Sequence, residues 1–239
     1  MEGRWRVTQT LVAYNAPLGR EFLAYGNDQV AQKVLQEQQK QLGIPVEFEL
    51  RYLRTQRNNT VEDRAFNVRS RLDAFAGKQV VKSVGYVDVP ANTREDALKA
   101  GNGPEDPLLT TIINFKGAVQ KIFITAFQTE QDKEGNVWRG LASQRTVFAA
   151  PGAGYNPLTV DEEAVTAIRR GPNNNDNNTK GVRGRFRLLG YLNPNDKLFF
   201  KAGNKAVTIA DYSLQYSYVG EVEQPSTTAT ATTTTSPPI

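Results

Sequence analysis

The chain contains neither histidine nor cysteine, and its single methionine is Met1. Histidine is the side chain whose ordinary pKa lies in the physiological range, and cysteine is the readiest thiolate nucleophile and soft metal ligand. Their absence excludes Ser-His and Cys-His catalysis, zinc sites of the usual kind and disulfide cross-links. Carboxylate, lysine and tyrosine chemistry with hard cations stays open. The balance points to building or binding: the sequence reads as non-enzymatic, with no catalytic residue, no metal site and no cofactor.

Long apolar runs are missing too. None approaches the roughly 18 residues that cross a bilayer as a helix. The opening Met1-Glu2-Gly3-Arg4-Trp5-Arg6 is not followed by the apolar stretch of a secretion leader. The expectation is a chain with no membrane span and no secretion signal, in the cytoplasm or in a virion. Asn58-Asn59-Thr60 and Asn177-Asn178-Thr179 match the glycosylation sequon, but without a leader they read as polar loops.

What is present is charge, unevenly placed. The net charge is +4, yet the segment from Arg51 to Lys82 alone carries +5 and that from Thr166 to Arg187 another +5, which leaves −6 on the rest. Arginine dominates both segments: Arg51, Arg54, Arg57, Arg64, Arg69 and Arg71 in the first, Arg169, Arg170, Arg183, Arg185 and Arg187 in the second. Arginine is the preferred partner of phosphate and carboxylate, so these eleven residues are the candidate contacts for nucleic acid or another anionic partner. Few aromatic residues are interleaved with them, which argues against single-strand stacking. A chain divided in this way can also complement a second copy of itself.

Alternation of apolar and polar residues predicts strands over Trp5 to Tyr14, over Val46 to Tyr52 after Pro45, over Val80 to Val89, and at Tyr212, Leu214, Tyr216 and Tyr218. Leu108 to Phe115 and Val119 to Phe127 are the most apolar stretches and are expected to be strands covered on both faces, at the centre of the core. The turn at Asp132-Lys133-Glu134-Gly135-Asn136 predicts a hairpin into Val137 to Ala149, and Asn193-Pro194-Asn195-Asp196 a second one between Val182 to Leu192 and Lys197 to Lys201.

Asn27 should cap a helix running to about Leu42, with Gly43 ending it. Thr60 with Asp63 suggests a helix through Phe75 ended by Gly77. Thr93 with Asp96 suggests a short helix to Ala100. Thr159 with Glu162 suggests another ending at Arg169-Arg170, acids at its start and bases at its end. Gly171 to Gly181, with five asparagines, is a loop.

Two weaker motifs fail on chemistry. Gly152-Ala153-Gly154 lacks a third glycine, and the acids at 161 to 163 would repel a phosphate at the helix expected after it. Glu47 and Glu49 are spaced as a carboxylate pair, but they alternate with apolar residues as a solvent-facing row does. The expected fold is α+β and β-rich: an antiparallel sandwich or jelly-roll-like core over residues 1–223, three or four short helices in the connections, and a low-complexity C-terminal arm over 224–239. That arm is rich in β-branched threonine and suited to pairing with a neighbour's strand edge. Gln224, Pro225, Thr233, Pro237 and Ile239 are therefore candidate assembly contacts. The function expected is a structural subunit of a large homomeric assembly, such as a virion shell (capsid) or tail protein, whose partners are other copies of itself; nucleic-acid binding through the basic segments is the alternative.

Overall fold

A computed structural model describes residues 1–24, 27–54, 60–87, 109–149, 158–171 and 181–222. Ten strands form one continuous antiparallel sheet: β1 (Gly3–Asn15), β2 (Pro45–Arg54), β3 (Thr60–Glu62), β4 (Val81–Tyr86), β5 (Thr111–Phe115), β6 (Ala118–Gln131), β7 (Val137–Ala149), β8 (Leu158–Arg170), β9 (Val182–Tyr191) and β10 (Thr208–Gly220). Their spatial order is β3-β2-β1-β10-β9-β8-β7-β6-β5-β4. The helices are α1 (Asp28–Gln41), α2 (Arg64–Ala76) and the single turn α3 (Phe199–Ala202). The β-rich character with few helices agrees with the sequence. The strands, however, join one sheet curled into a half-barrel, where a sandwich would divide them between two.

The curl follows from a length argument. Nine interstrand steps of about 4.8 Å would set the edges of a flat sheet about 43 Å apart. Yet α2, about 20 Å long for its 13 residues, bonds to both margins at once. On one margin the Glu49 amide donates to Ser70 Oγ (3.1 Å) and the Arg51 amide to Asn67 Oδ1 (2.7 Å). On the other, Asp73 Oδ1 accepts from the Val80 and Val81 amides (2.7 and 2.9 Å), and Arg69 donates to the Lys82 carbonyl. Side chains of one helix thus satisfy edge groups that a missing strand pairing would otherwise leave open.

Local chemistry explains the helices. Asn27 caps α1 through the Val30 amide, and Gly43 follows with φ of 77°. Asp63, not Thr60, caps α2 through the Phe66 amide, and Gly77 ends it in the left-handed region that glycine tolerates. Thr60 belongs to β3 instead.

The inward face of β1 carries Trp5, Val7, Gln9 and Leu11, all buried. They lie opposite Tyr218, Tyr216, Leu214 and Tyr212 on β10 and, for the first two, Leu50 and Phe48 on β2. With Ile168 and Val182 these build the main core. A smaller cluster of Phe22, Ala202 and Val207 lies beyond the Asn15–Thr208 end of the sheet.

Three expectations are corrected. Residues 158–170 form β8, not a helix: Thr159, Val160, Val165, Thr166 and Ile168 are β-branched, and β7 and β9 pair with the segment on both sides. Residues 197–201 form no return strand; α3 lies there, and β9 pairs onward with β10. The main core lies on β1, β2, β8, β9 and β10; of the two stretches expected at its centre, β5 does bury Thr111 and Ile113 (1% and 0%), while β6 is largely exposed, with Phe123 and Phe127 at 37% and 43%. Apolar density alone does not say which strands another element covers. The helix expected at 93–100 and the glycine turn at 152–154 lie outside the described residues.

A candidate ligand site on the concave face

Strand pairing sets one row of residues on the inside of the curl. Besides the core it holds Tyr14, Tyr52, Thr111, Ile122, Ile124, Trp138, Gln144, Thr146, Val160, Glu162, Ala164, Thr166, Phe186, Leu188 and Tyr212. Beside Phe127, much of this wall on β6 to β8 is half-buried. Small residues make the tight curvature possible: a Cβ on Gly140 would lie 2.5 Å from the Trp138 ring, and one on Gly184 3.1 Å from the Ala167 carbonyl.

Two polar groups stand out against this apolar surface. Arg71 projects from α2, with its guanidinium carbon 5.3 Å from the centre of the Phe48 ring. Its charge bears on the hydroxyls of Tyr52, Tyr212 and Tyr216, partly offsetting the upward push that burial gives each of them. The Arg71 Nε is sequestered and without a hydrogen-bond partner among the described residues. Across the interior, Glu162 accepts from Gln144 Nε2 at 2.8 Å. Burial raises its pKa above the usual carboxylate range, and the Gln144 bond only partly opposes that. Glu162 also raises Tyr212. An arginine and a carboxyl therefore face the same tyrosine without forming an ion pair. An ammonium or guanidinium on a ligand would suit Glu162, and an anion would suit Arg71.

The remaining basic candidates are mostly engaged elsewhere. Arg51 lies 3.5 Å over the Phe66 ring and 3.6 Å from Glu49. Arg54 pairs with Glu2 at 2.6 Å. Arg64 donates to the Leu109 carbonyl (2.6 Å) and to Thr111 Oγ1 (3.2 Å), with its guanidinium over Tyr86. Arg69 holds the β4 margin. Arg187 makes a bidentate pair with Asp211 at 2.6 and 2.9 Å, a bond that holds the Asp211 carboxyl below its ordinary range. Arg169, Arg170, Arg183 and Arg185 are exposed near the Gly3–Gly220 end of the sheet. Arg57 and the arm residues Gln224, Pro225, Thr233, Pro237 and Ile239 lie outside the described residues.

The described arginines of this set thus do not form one surface: the structure separates Arg71 inside from a smaller exterior group. Among the described residues no group of three or more acidic side chains could hold a metal ion, and no helix is long and apolar enough to cross a membrane. A cleft of about 300 Å³ on the convex side includes Asp161, Glu163, Tyr191 and Lys205. Its acids are already engaged, Asp161 by Arg145 at 2.6 and 2.8 Å and Glu163 by the Tyr191 hydroxyl at 2.8 Å. Burial and that bond push the Tyr191 pKa up to about 12.

Sequence reasoning selected Arg71 for its charge but gave no role to Glu162, which the 159–162 capping pattern disguised. The signal was available: Val160, Glu162, Ala164, Thr166 and Ile168 alternate, and reading them as a strand sets Glu162 in an apolar row. No curated protein and no solved structure matches the chain. Residues 1–101, which contain β1 to β4, α1 and α2 and hence Arg71, are similar to the family described as Domain of unknown function (DUF6816).

Proposed function

We propose that the protein is a non-enzymatic binding protein that takes a small amphipathic molecule into its concave face, with a carboxylate, sulfonate or phosphate of the ligand against Arg71. The single observation that carries this reading is the half-buried Arg71 side chain, whose Nε is sequestered without a hydrogen-bond partner and which has no acidic partner among the described residues. A cation partly withdrawn from water is costly unless an anion or a set of hydrogen bonds compensates it. A bound anion, with the hydroxyls of Tyr212 and Tyr216 nearby, would compensate it here. The aromatic wall of Phe48, Trp138, Phe186 and Tyr212 suits the ligand's apolar body.

Both tryptophans of the chain, Trp5 and Trp138, sit at the concave core, so their fluorescence reports binding directly. Titration with a long-chain fatty acid is expected to saturate, and the corresponding fatty alcohol to bind more weakly. Arg71→Gln should weaken the acid by about tenfold or more, the scale of a lost charge-assisted hydrogen bond, and leave the alcohol unchanged. Equal affinity of the wild-type protein for acid and alcohol, or an Arg71→Gln variant that still prefers the acid, overturns the proposal.

A further inference from the structure

Ion pairs engage several surface arginines, and exposed ones outside those pairs gather at one rim. On the convex face, Arg183 of β9 is directly opposite Arg169 of β8 and, on its other side, Gln215 of β10. Arg185 is two residues along, opposite Ser213, and Arg6 of β1 is opposite Ser217. All four arginines are exposed, and none is ion-paired among the described residues. Like charges directly opposite each other destabilise a sheet, so the Arg169–Arg183 pairing is a cost that the fold itself does not require.

The acids nearby do not cancel the charge. Glu2 is held by Arg54, Glu49, opposite Arg6, is held by Arg4, and Asp211, on which the charge of Arg185 also bears, is held by Arg187; Glu134 accepts from Asn136, and Glu221 stands past the end of β10. At the same end of the sheet two side chains of β10 meet solvent: Val219, 42% exposed, and Tyr218, 45% exposed, which lies opposite Trp5 on the inner side of the rim. Tyr218 meets Trp5 edge-on at 5.2 Å, so its ring is braced.

We propose that this rim docks on an anionic phospholipid bilayer. The arginines would lie at the headgroup phosphates, with Tyr218 and Val219 at the interface. Tyrosine is enriched at that depth of a membrane, and basic side chains near an anionic leaflet each add attraction. A nucleic acid would need phosphate contacts alone or stacked bases, and the convex patch offers no aromatic platform and leaves the apolar pair without a role. The inference stands on the exterior surface and does not depend on the concave site.

Co-sedimentation with vesicles tests it, using phosphatidylcholine alone and three parts phosphatidylcholine to one part phosphatidylserine. The protein should sediment with the mixed vesicles only, and added salt should release it. Each of Arg169→Gln, Arg183→Gln and Arg185→Gln should weaken binding by about fivefold, with the urea midpoint retained for Arg185→Gln and retained or raised for the other two, which relieve the Arg169–Arg183 repulsion. Val219→Ser should weaken it without changing the salt dependence, and Ser217→Lys should strengthen it. Equal sedimentation with both vesicle types, none with either, or a triple glutamine variant that binds undiminished overturns the proposal. So does retention of duplex DNA or RNA by a protein that ignores the mixed vesicles.

Discussion

Glu162 and Glu49 illustrate how one residue type acquires opposite pH behaviour from its surroundings. Glu49 receives a bidentate pair from Arg4, both bonds at 3.0 Å, and that bond holds its carboxyl below the usual range. Its contribution to stability is therefore present above the unfolded-state pKa and lost as pH falls through the folded-state value. Glu162 is raised by burial. The folded state binds its proton more tightly than the unfolded state does, so its stability is complete below the unfolded pKa and declines as pH rises through the folded one. Glu162→Gln keeps an acceptor for Gln144 and removes the charge. Urea midpoints should be the same for the variant and the wild type at acidic pH, with the variant increasingly more stable toward neutral and alkaline pH. A constant offset across the pH range would show that the carboxyl is not buried as described.

At the scale of elements, α2 acts as a fastener between the two margins of the sheet. Asn67, 1% exposed, donates to the Arg51 carbonyl (3.1 Å) and to Glu62 Oε1 (3.0 Å) while accepting from the Arg51 amide. It imitates the backbone of an absent strand. Asn67→Ala should cost about 2–4 kcal/mol, because buried backbone groups lose their partners, as read from urea unfolding. Asp73→Ala should cost less and act locally: amide hydrogen exchange should quicken at Val80 and Val81 while β1 and β10 stay protected. Loss of protection across the whole sheet would mean that α2 sets global stability. The sequence pointed to the helix and to its Gly77 end, since that end is local, but set its start at Thr60. It could not show that three polar positions on that helix, 67, 70 and 73, would serve two separate strand edges.

The whole molecule is tied together by β1 and β10, which lie nearly a chain length apart yet pair over their full extent. Such long-range pairing closes late and slowly in folding. Val7, fully buried between Phe48 and Tyr216, lies within this seam. Val7→Ala should cost about 2–3 kcal/mol and leave a single unfolding transition, coincident by tryptophan fluorescence and far-ultraviolet circular dichroism. Separate transitions would divide the sheet into independent units. At this scale the arginines also sort themselves, into edge ties, ion pairs, one concave guanidinium and one exposed rim.

The sequence by itself determined the β-rich class, the alternation of β1, β2 and β10, the Asn27 cap of α1 and the Gly77 end of α2, and the absence of imidazole and thiol chemistry. Each of these depends on neighbours within a few residues or on composition. Only the tertiary structure decided that 158–170 is a strand, that the strands run in one curled sheet, and that Arg71 and Glu162 face the same interior. A capping pattern of Thr159 and Glu162 is satisfied equally well in isolation. The outcome turned on hydrogen bonds from β7 and β9, which no local window of residues contains.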